Sequence, residues 1–70
     1  MNKIKVPQTE QEKDMLESIF DFVLQSCSVE DDKLDSMCSS TYADGIKTLA
    51  EYGKVKILKE RGRRIIAKVI

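Results

Sequence analysis

The chain has 70 residues, with 12 Lys plus Arg, 12 Asp plus Glu and no His, so its formal net charge is zero. A domain of this size buries only about 60% of the surface of its unfolded chain, which excludes a deep catalytic cavity. With no His and only two widely separated cysteines, Cys27 and Cys38, the usual catalytic and metal sites are excluded as well. We therefore expect a binding module that is not an enzyme and holds no cofactor or metal.

Charge is divided unevenly along the chain. Residues 1–40 contain four Lys and nine Asp plus Glu, whereas residues 41–70 contain eight Lys plus Arg and three acids. Six basic residues and one acid fall within residues 54–64. Such a cluster is typical of a surface that binds a polyanion. Lysines on an edge strand also prevent aggregation, so both interpretations stay open.

The N-terminus gives no sign of a targeting segment. MNKIKVPQTE lacks the apolar run of a secretory signal, and no stretch of the chain approaches the roughly 18 apolar residues of a membrane span. We expect a soluble, cytoplasmic protein in which both cysteines are small buried apolar residues, with a disulfide or redox switch as the alternative. Residues 1–8, interrupted by Pro7, should form a flexible arm, and residues 9–70 a single domain.

A first helix is predicted over residues 10–27. Thr9 and Glu12 have the spacing of a capping box. Apolar residues then recur at helical spacing, at Leu16, Ile19, Phe20, Val23 and Cys27.

The apolar arc of this helix is wider than one core requires, because Met15, Phe22 and Leu24 extend it on both sides. We expect a second copy of the chain to cover the excess, giving a homodimer through the first helix. In the alternative, the N-terminal arm folds back over the exposed edge with Ile4 and Val6.

Two further helices are predicted. Ser28 followed by acids favours a short second helix over about residues 30–38, with inward Leu34, Met37 and Cys38 and outward Asp31, Asp32 and Asp35. We interpret these acids as exposed residues of the first turns rather than as a cation site, because the ligand spacing of an EF-hand is missing. The polar residues 39–41 then cap a third helix over about residues 40–53, which Gly53 ends.

A β-hairpin is predicted over residues 54–70, because two apolar runs flank Arg61 and Gly62. A two-residue loop at these positions would set Val55 against Lys68. A three-residue loop over residues 60–62, with Gly62 in the left-handed region, instead collects the apolar residues on one face. These residues are Val55, Ile57, Ile65, Ala67 and Val69. We therefore predict the three-residue loop.

Three helices followed by a basic hairpin resemble the winged helix-turn-helix family, over about residues 10–70. The most similar segment is IKTLAEYGKVKI, residues 46–57, which looks like the end of a recognition helix, the glycine that stops it and the first strand of the wing. The resemblance implies an α+β fold, a three-helix winged helix-turn-helix domain with a C-terminal β-hairpin wing.

In that family the third helix lies in the major groove and the wing contacts the DNA backbone. The resemblance therefore implies a small protein that binds duplex DNA and regulates transcription. The residues carried over to that role are Ser40, Thr41, Asp44, Lys47, Thr48, Lys59, Arg61, Arg63 and Arg64. Base recognition should be weak, because the exposed face of the third helix has one Lys and no Arg, Asn or Gln. The alternative is a protein-interaction adaptor of the same fold that does not bind DNA directly.

Overall fold

Two helices lie against one face of a four-stranded antiparallel sheet in the computed structural model, which describes residues 4–30 and 32–70. In chain order the elements are α1 (Glu10–Cys27), β1 (Ser28–Glu30), β2 (Lys33–Asp35), α2 (Ser40–Glu51), β3 (Val55–Arg61) and β4 (Arg64–Val69). The strand order across the sheet is β1-β2-β4-β3. The last strand is therefore central and pairs with both β2 and β3.

The core lies between the helices and the sheet. Its buried apolar residues are Leu16, Val23 and Cys27 from α1, Ala43, Ile46 and Leu49 from α2, and Leu34, Val55, Ile65 and Ala67 from the strands. Fully burying a Leu, Ile or Val side chain stabilises a fold by about 1.5–3 kcal/mol. The two helices approach closely at Gly45, where an added Cβ would lie 3.0 Å from Cγ2 of Val23.

The first helix has the predicted bounds. The Thr9 hydroxyl accepts from the amide of Glu12 at 3.1 Å, as the capping box requires. The other half of the box is not formed, because the Glu12 carboxylate accepts a hydrogen bond from the Tyr52 hydroxyl at 3.1 Å. That bond ties the start of α1 to the end of α2.

The predicted third helix is present as α2. Ser39 is its N-cap, with its hydroxyl accepting from the Tyr42 amide. It ends as predicted at Gly53, which has a φ of 72°. The amides of Gly53 and Lys54 donate to the carbonyls of Ala50 and Leu49, the two bonds of a Schellman motif.

The predicted second helix, residues 30–38, is absent from the described residues, so the three-helix winged helix-turn-helix prediction is wrong. In its place β1 and β2 form a hairpin, and β2 pairs with β4. Pairing with β4 buries Leu34 completely and satisfies backbone groups through a long-range ladder. A nine-residue helix with only three apolar residues would gain less stability from burial, and helices this short are only marginally stable without tertiary packing.

The segment after β2 also differs from the prediction. Met37 and Cys38 were expected to face inward, but both are exposed and both have positive φ, 54° and 64°. Cys27 is buried as predicted. Of the predicted acidic cluster, Asp31 lies outside the described residues, and the Asp35 side chain is engaged by Arg64.

The C-terminal hairpin is present, but its predicted loop is wrong. Gly62 and Arg63 form a two-residue turn between the paired residues Arg61 and Arg64. Gly62 has the predicted positive φ, 56°, at the position where turns that match the strand twist require it. A bulge at Leu58 then shifts the register by one residue. It keeps the five predicted apolar residues on the core side, where Val55, Ile65 and Ala67 are buried and Ile57 and Val69 pack against the core.

The described part of the N-terminal arm lies at the end of α2. The Lys5 amide donates to the Glu51 carbonyl at 2.9 Å, and the two side chains form an ion pair at 3.1 Å. Residues 1–3 of the predicted arm lie outside the described residues. Within residues 4–30 and 32–70, neither helix is long and apolar enough to cross a lipid bilayer.

Candidate nucleic-acid interface

The side of the sheet opposite the helices is basic. Successive side chains of a strand alternate between the two sides, so the residues that neighbour the buried ones point away from the core. We call this side the outer face. Its residues are Glu30 from β1, Lys33 and Asp35 from β2, Arg64, Ile66 and Lys68 from β4, and Lys56, Leu58, Lys59 and Arg61 from β3. Six are basic and two are acidic.

Strand pairing arranges these residues in rows across the sheet. Lys33, Lys68 and Lys56 are direct cross-strand partners and form one row. Arg61 and Arg64 are paired in the same way near the tip of the hairpin. Like charges directly opposite each other destabilise a sheet. Lys33 is relieved by Glu30 of β1, its partner on the other side, whose carboxylate lies 3.6 Å from the ammonium. Folding alone does not account for the direct opposition of Lys68 to Lys56.

The one acid among residues 54–64 is removed from the outer face by the bulge in β3. Glu60 pairs with the buried Ile65, which places it on the helix side of the sheet. Its carboxylate lies 3.4 Å from Nζ of Lys47 on α2. The bulge therefore leaves Lys59 and Arg61 without an acidic neighbour between them on the outer face.

Asp35 holds Arg64 in place on the outer face. The guanidinium donates from Nη2 to Oδ2 at 2.7 Å and from Nε to both carboxylate oxygens at 3.2 Å. Arg64 first, and then the Met37 amide that donates to Oδ1, lowers the pKa of Asp35 below its ordinary value. The carboxylate is thus an anion that orients the guanidinium, and the Arg64 side chain stays 55% exposed.

Ser36 fixes the start of β4 and with it the tip of the hairpin. Its fully buried hydroxyl donates to the Arg63 carbonyl and accepts from the Ile65 amide, each at 2.8 Å. The Ser36 amide donates in turn to the Ile65 carbonyl at 3.0 Å. These three bonds set the backbone on both sides of Arg64, which places its guanidinium within reach of Asp35.

The outer face has one shallow concavity of about 220 Å³, lined by Lys59, Arg61, Arg64 and Ile66. The chain has two Phe, two Tyr and no Trp, and these four rings belong to α1, α2 or the C-cap of α2. The outer face therefore offers cations around two aliphatic side chains, Leu58 and Ile66, and no aromatic ring. It can contact phosphates, but it has no ring on which a base could stack.

The nine residues predicted to contact DNA do not form one surface. Three of them, Lys59, Arg61 and Arg64, lie together on the outer face. Arg63 lies in the turn at the tip of the hairpin. The other five belong to α2, in the layer on the opposite side of the sheet; they are Ser40, Thr41, Asp44, Lys47 and Thr48.

The predicted residues of α2 have few free donors. The ammonium of Lys47 is paired with Glu60, and the Thr48 hydroxyl donates to the Asp44 carbonyl of its own helix at 2.9 Å. Ser40, Thr41 and Asp44 are exposed. Together they present two hydroxyls and a carboxylate, a set with little attraction for phosphate.

Sequence reasoning missed five residues of the site: Lys33, Asp35, Ser36, Lys56 and Lys68. The alternation of basic and apolar residues in KVKI and IIAKV was a usable signal for Lys56 and Lys68. Lys33, Asp35 and Ser36 had no such signal, because their segment was expected to be helical.

Charge is separated between the two layers of the molecule. The first helix has five acids, Glu10, Glu12, Asp14, Glu17 and Asp21, against one lysine, Lys13. The outer face has six basic and two acidic residues, an excess of four positive charges. A polyanion is therefore attracted to one side of the molecule and repelled from the other.

Searches of protein-family models, curated proteins and solved structures gave no match to this chain.

Proposed function

We propose that this protein binds duplex DNA through the outer face of its sheet, mainly by contacts to phosphates, and acts as a small regulator of transcription in the cytoplasm. The observation that carries the proposal is the basic outer face, with its row of directly opposed lysines. Like charges in that row oppose folding. A phosphate backbone that neutralises them would therefore bind the protein and also increase the stability of its folded state.

A duplex suits this surface better than a single strand. Single-strand binding relies on aromatic side chains that stack with bases, and none belongs to the outer face. The two-stranded end of the hairpin, from Lys59 to Arg64, has the width of a β-ribbon that the major groove admits. Arg63 at the tip of the hairpin would then reach deepest into the major groove, and the row of lysines would lie along the DNA backbone.

Contacts of this kind are steeply dependent on salt. Among the described residues, Lys56, Lys59, Arg61, Arg63 and Lys68 have no ion-pair partner. If these five each neutralise a phosphate, log K should fall with log salt at a slope of about −4.5. A fluorescence-anisotropy titration of a short random-sequence duplex, from about 50 to 200 mM salt, measures that slope.

Paired variants decide which layer of the molecule binds. Replacing Lys56 and Lys68 together by Gln should reduce the steepness of the slope by about 2. The matched control replaces Lys13 and Lys47, both in the helix layer, by Gln and should leave the slope unchanged. Absence of binding by the wild type at low salt contradicts the proposal. An equal loss in the control would instead favour contact through the helices.

The second candidate is a protein-interaction adaptor that does not bind DNA. It is favoured by two large apolar side chains on α1, Met15 and Phe22, which are 44% and 45% exposed. Solvent exposure of neighbouring apolar side chains is typical of a protein contact. An adaptor without DNA contacts would show no salt-dependent binding to duplex, whereas the proposed function requires it.

A further inference from the structure

An apolar strip lies along the side of α1 that borders α2. Met15, Ile19 and Phe22 follow one another at intervals of four and three residues, which places them on one side of the helix. Ile19 is partly buried against the core, and the other two are about half exposed. The Phe22 ring contacts Tyr42 of α2, with 5.3 Å between ring centroids. We call Met15, Ile19, Phe22 and Tyr42 the apolar strip.

The surroundings of this strip are uncharged except for Glu12, which lies three residues before Met15 and whose carboxylate accepts from the Tyr52 hydroxyl. On α1 its exposed neighbours at helical spacing are Gln11, Ser18 and Ser26, and across the groove α2 contributes Thr41, Gly45 and Thr48. The acids at positions 10, 14, 17 and 21 lie around the helix on another side, by the same spacing. Depletion of charge around exposed apolar side chains is the composition of the centre of a protein interface.

Nothing in the described part of this chain covers the strip. Ile4 lies against Gly53 and Lys5 is bonded to Glu51, so this part of the arm is at the end of α2. Leu24, predicted to belong to the same surface, is partly buried and packs against the core. It lies nearly half a turn around α1 from Phe22, since each residue advances about 100°.

We propose that a second copy of this chain covers the apolar strip, in an antiparallel two-fold dimer of α1 against α1. Met15 and Phe22 are seven residues apart, on either side of Ser18 and Ile19. A two-fold axis through that midpoint sets Met15 of one copy against Phe22 of the other, so that the strip is complementary to itself. A charged partner would have to bury its charges against a surface whose one nearby charge, Glu12, is already bonded to Tyr52, which is costly.

This arrangement directs the two basic faces outward. Leu16 and Cys27 are buried on the side of α1 that faces the sheet. Farther around the helix, Ile19 and Val23 approach Gly45 of α2. Met15 and Phe22 lie farther around still, in the same direction. The strip is therefore on the side of the helix layer turned away from the sheet. If the proposed function holds, each dimer has an outer face on either side and bridges two duplexes.

Sedimentation equilibrium without DNA tests the dimer by itself. We expect the wild-type mass to rise from 8.0 kDa towards twice that value across the micromolar range. Phe22→Glu and Met15→Glu should each weaken the dimer by at least about 30-fold. The matched control is Val29→Glu, which places the same charge at an equally exposed apolar residue of β1 and should dimerise normally. A wild-type mass that stays at 8.0 kDa, or equal dimerisation by Phe22→Glu, overturns the proposal.

A capture assay tests the outward direction of the two faces. An immobilised duplex with bound wild-type protein should retain a second, labelled duplex, whereas Phe22→Glu should bind the first with unchanged affinity for a single site and retain none of the second. A dimer that binds one duplex without capturing another overturns this arrangement. Failure of the proposed function is distinguishable, because the wild type would then not bind the first duplex.

Discussion

The Arg64 guanidinium and the Asp35 carboxylate are joined on the outer face with 2.7 Å between Nη2 and Oδ2. The pair links the central strand β4 to β2, two segments 29 positions apart in the chain. Because of these bonds, the Arg64 side chain is held in one orientation on the outer face. An ion pair at this place makes both the stability of the sheet and the shape of the proposed interface sensitive to the charge of one carboxylate.

That sensitivity predicts a pH dependence. The pKa of Asp35 is lowered from its ordinary value of 3.8, by Arg64 first and the Met37 amide second. A carboxylate with a lowered folded-state pKa stabilises the fold above its ordinary pKa, and that contribution is lost as the pH falls through the folded-state value. In urea unfolding, the wild type should therefore lose stability relative to Asp35→Asn as the pH falls below the ordinary aspartate value of 3.8. Parallel curves for the two proteins would show that the pair contributes nothing.

Ser36→Ala should destabilise the protein by about 1–3 kcal/mol, because the buried Ile65 amide and the Arg63 carbonyl each lose their bond to the hydroxyl. Ser40→Ala, at an exposed position of α2, is the control and should stay within about 0.5 kcal/mol of the wild type. Urea denaturation at pH 7 measures both. A cost for Ser36→Ala no larger than that of the control would refute its role at the hairpin tip.

Gly62 should tolerate Asn but not Val. Its φ of 56° is in the left-handed region, and an added Cβ would meet no atom within 4 Å, so the cost of a substitution is purely conformational. For a β-branched residue we expect a loss of about 1–2 kcal/mol, and for Asn much less. Amide chemical shifts of β3 and β4 should change in Gly62→Val while those of the helices persist. An unaltered hairpin in that variant would refute the turn assignment.

Lys68→Gln should stabilise the fold and weaken DNA binding at the same time. Lys68 lies directly between Lys33 and Lys56, and removing its charge relieves repulsion in the row, by about 0.5 kcal/mol. Thermal unfolding and a duplex titration of the same preparation test both effects. The control Lys13→Gln should show neither. Destabilisation by Lys68→Gln would mean that the row is not a site of repulsion.

The helices and their ends could be predicted because the signals that set them are local. The Thr9 hydroxyl caps α1 by accepting from the amide three residues later, and α2 ends where the Gly53 and Lys54 amides donate to the carbonyls of Ala50 and Leu49. The β1–β2 hairpin could not be predicted in that way. Its stability depends on Leu34 pairing with Ala67, a partner 33 positions away, and Ser28 at its start has the same local signature as a helix cap.

The candidate site was predictable only where it depends on the C-terminal hairpin. Lys59, Arg61 and Arg64 were selected for their charge and share the outer face. The bulge at Leu58 turns Glu60 towards Lys47. It could not be predicted, because the sequence of β3 has no residue that marks a bulge in its alternation of apolar and polar side chains. Five further site residues were predicted on α2, because the expected three-helix fold makes that helix the one that enters the major groove. In the observed fold, the sheet separates α2 from these cations.

Binding through the outer face is tested by titrating the isotope-labelled protein with a random-sequence duplex at low salt and following the NMR shifts of amides and lysine side chains. Binding through the outer face predicts that the largest changes fall on β2, β3 and β4, at Lys33, Lys56, Lys59, Arg61, Arg64 and Lys68, and that α1 and α2 shift little. Largest changes at residues 40–48 of α2, or no changes at all, would contradict it.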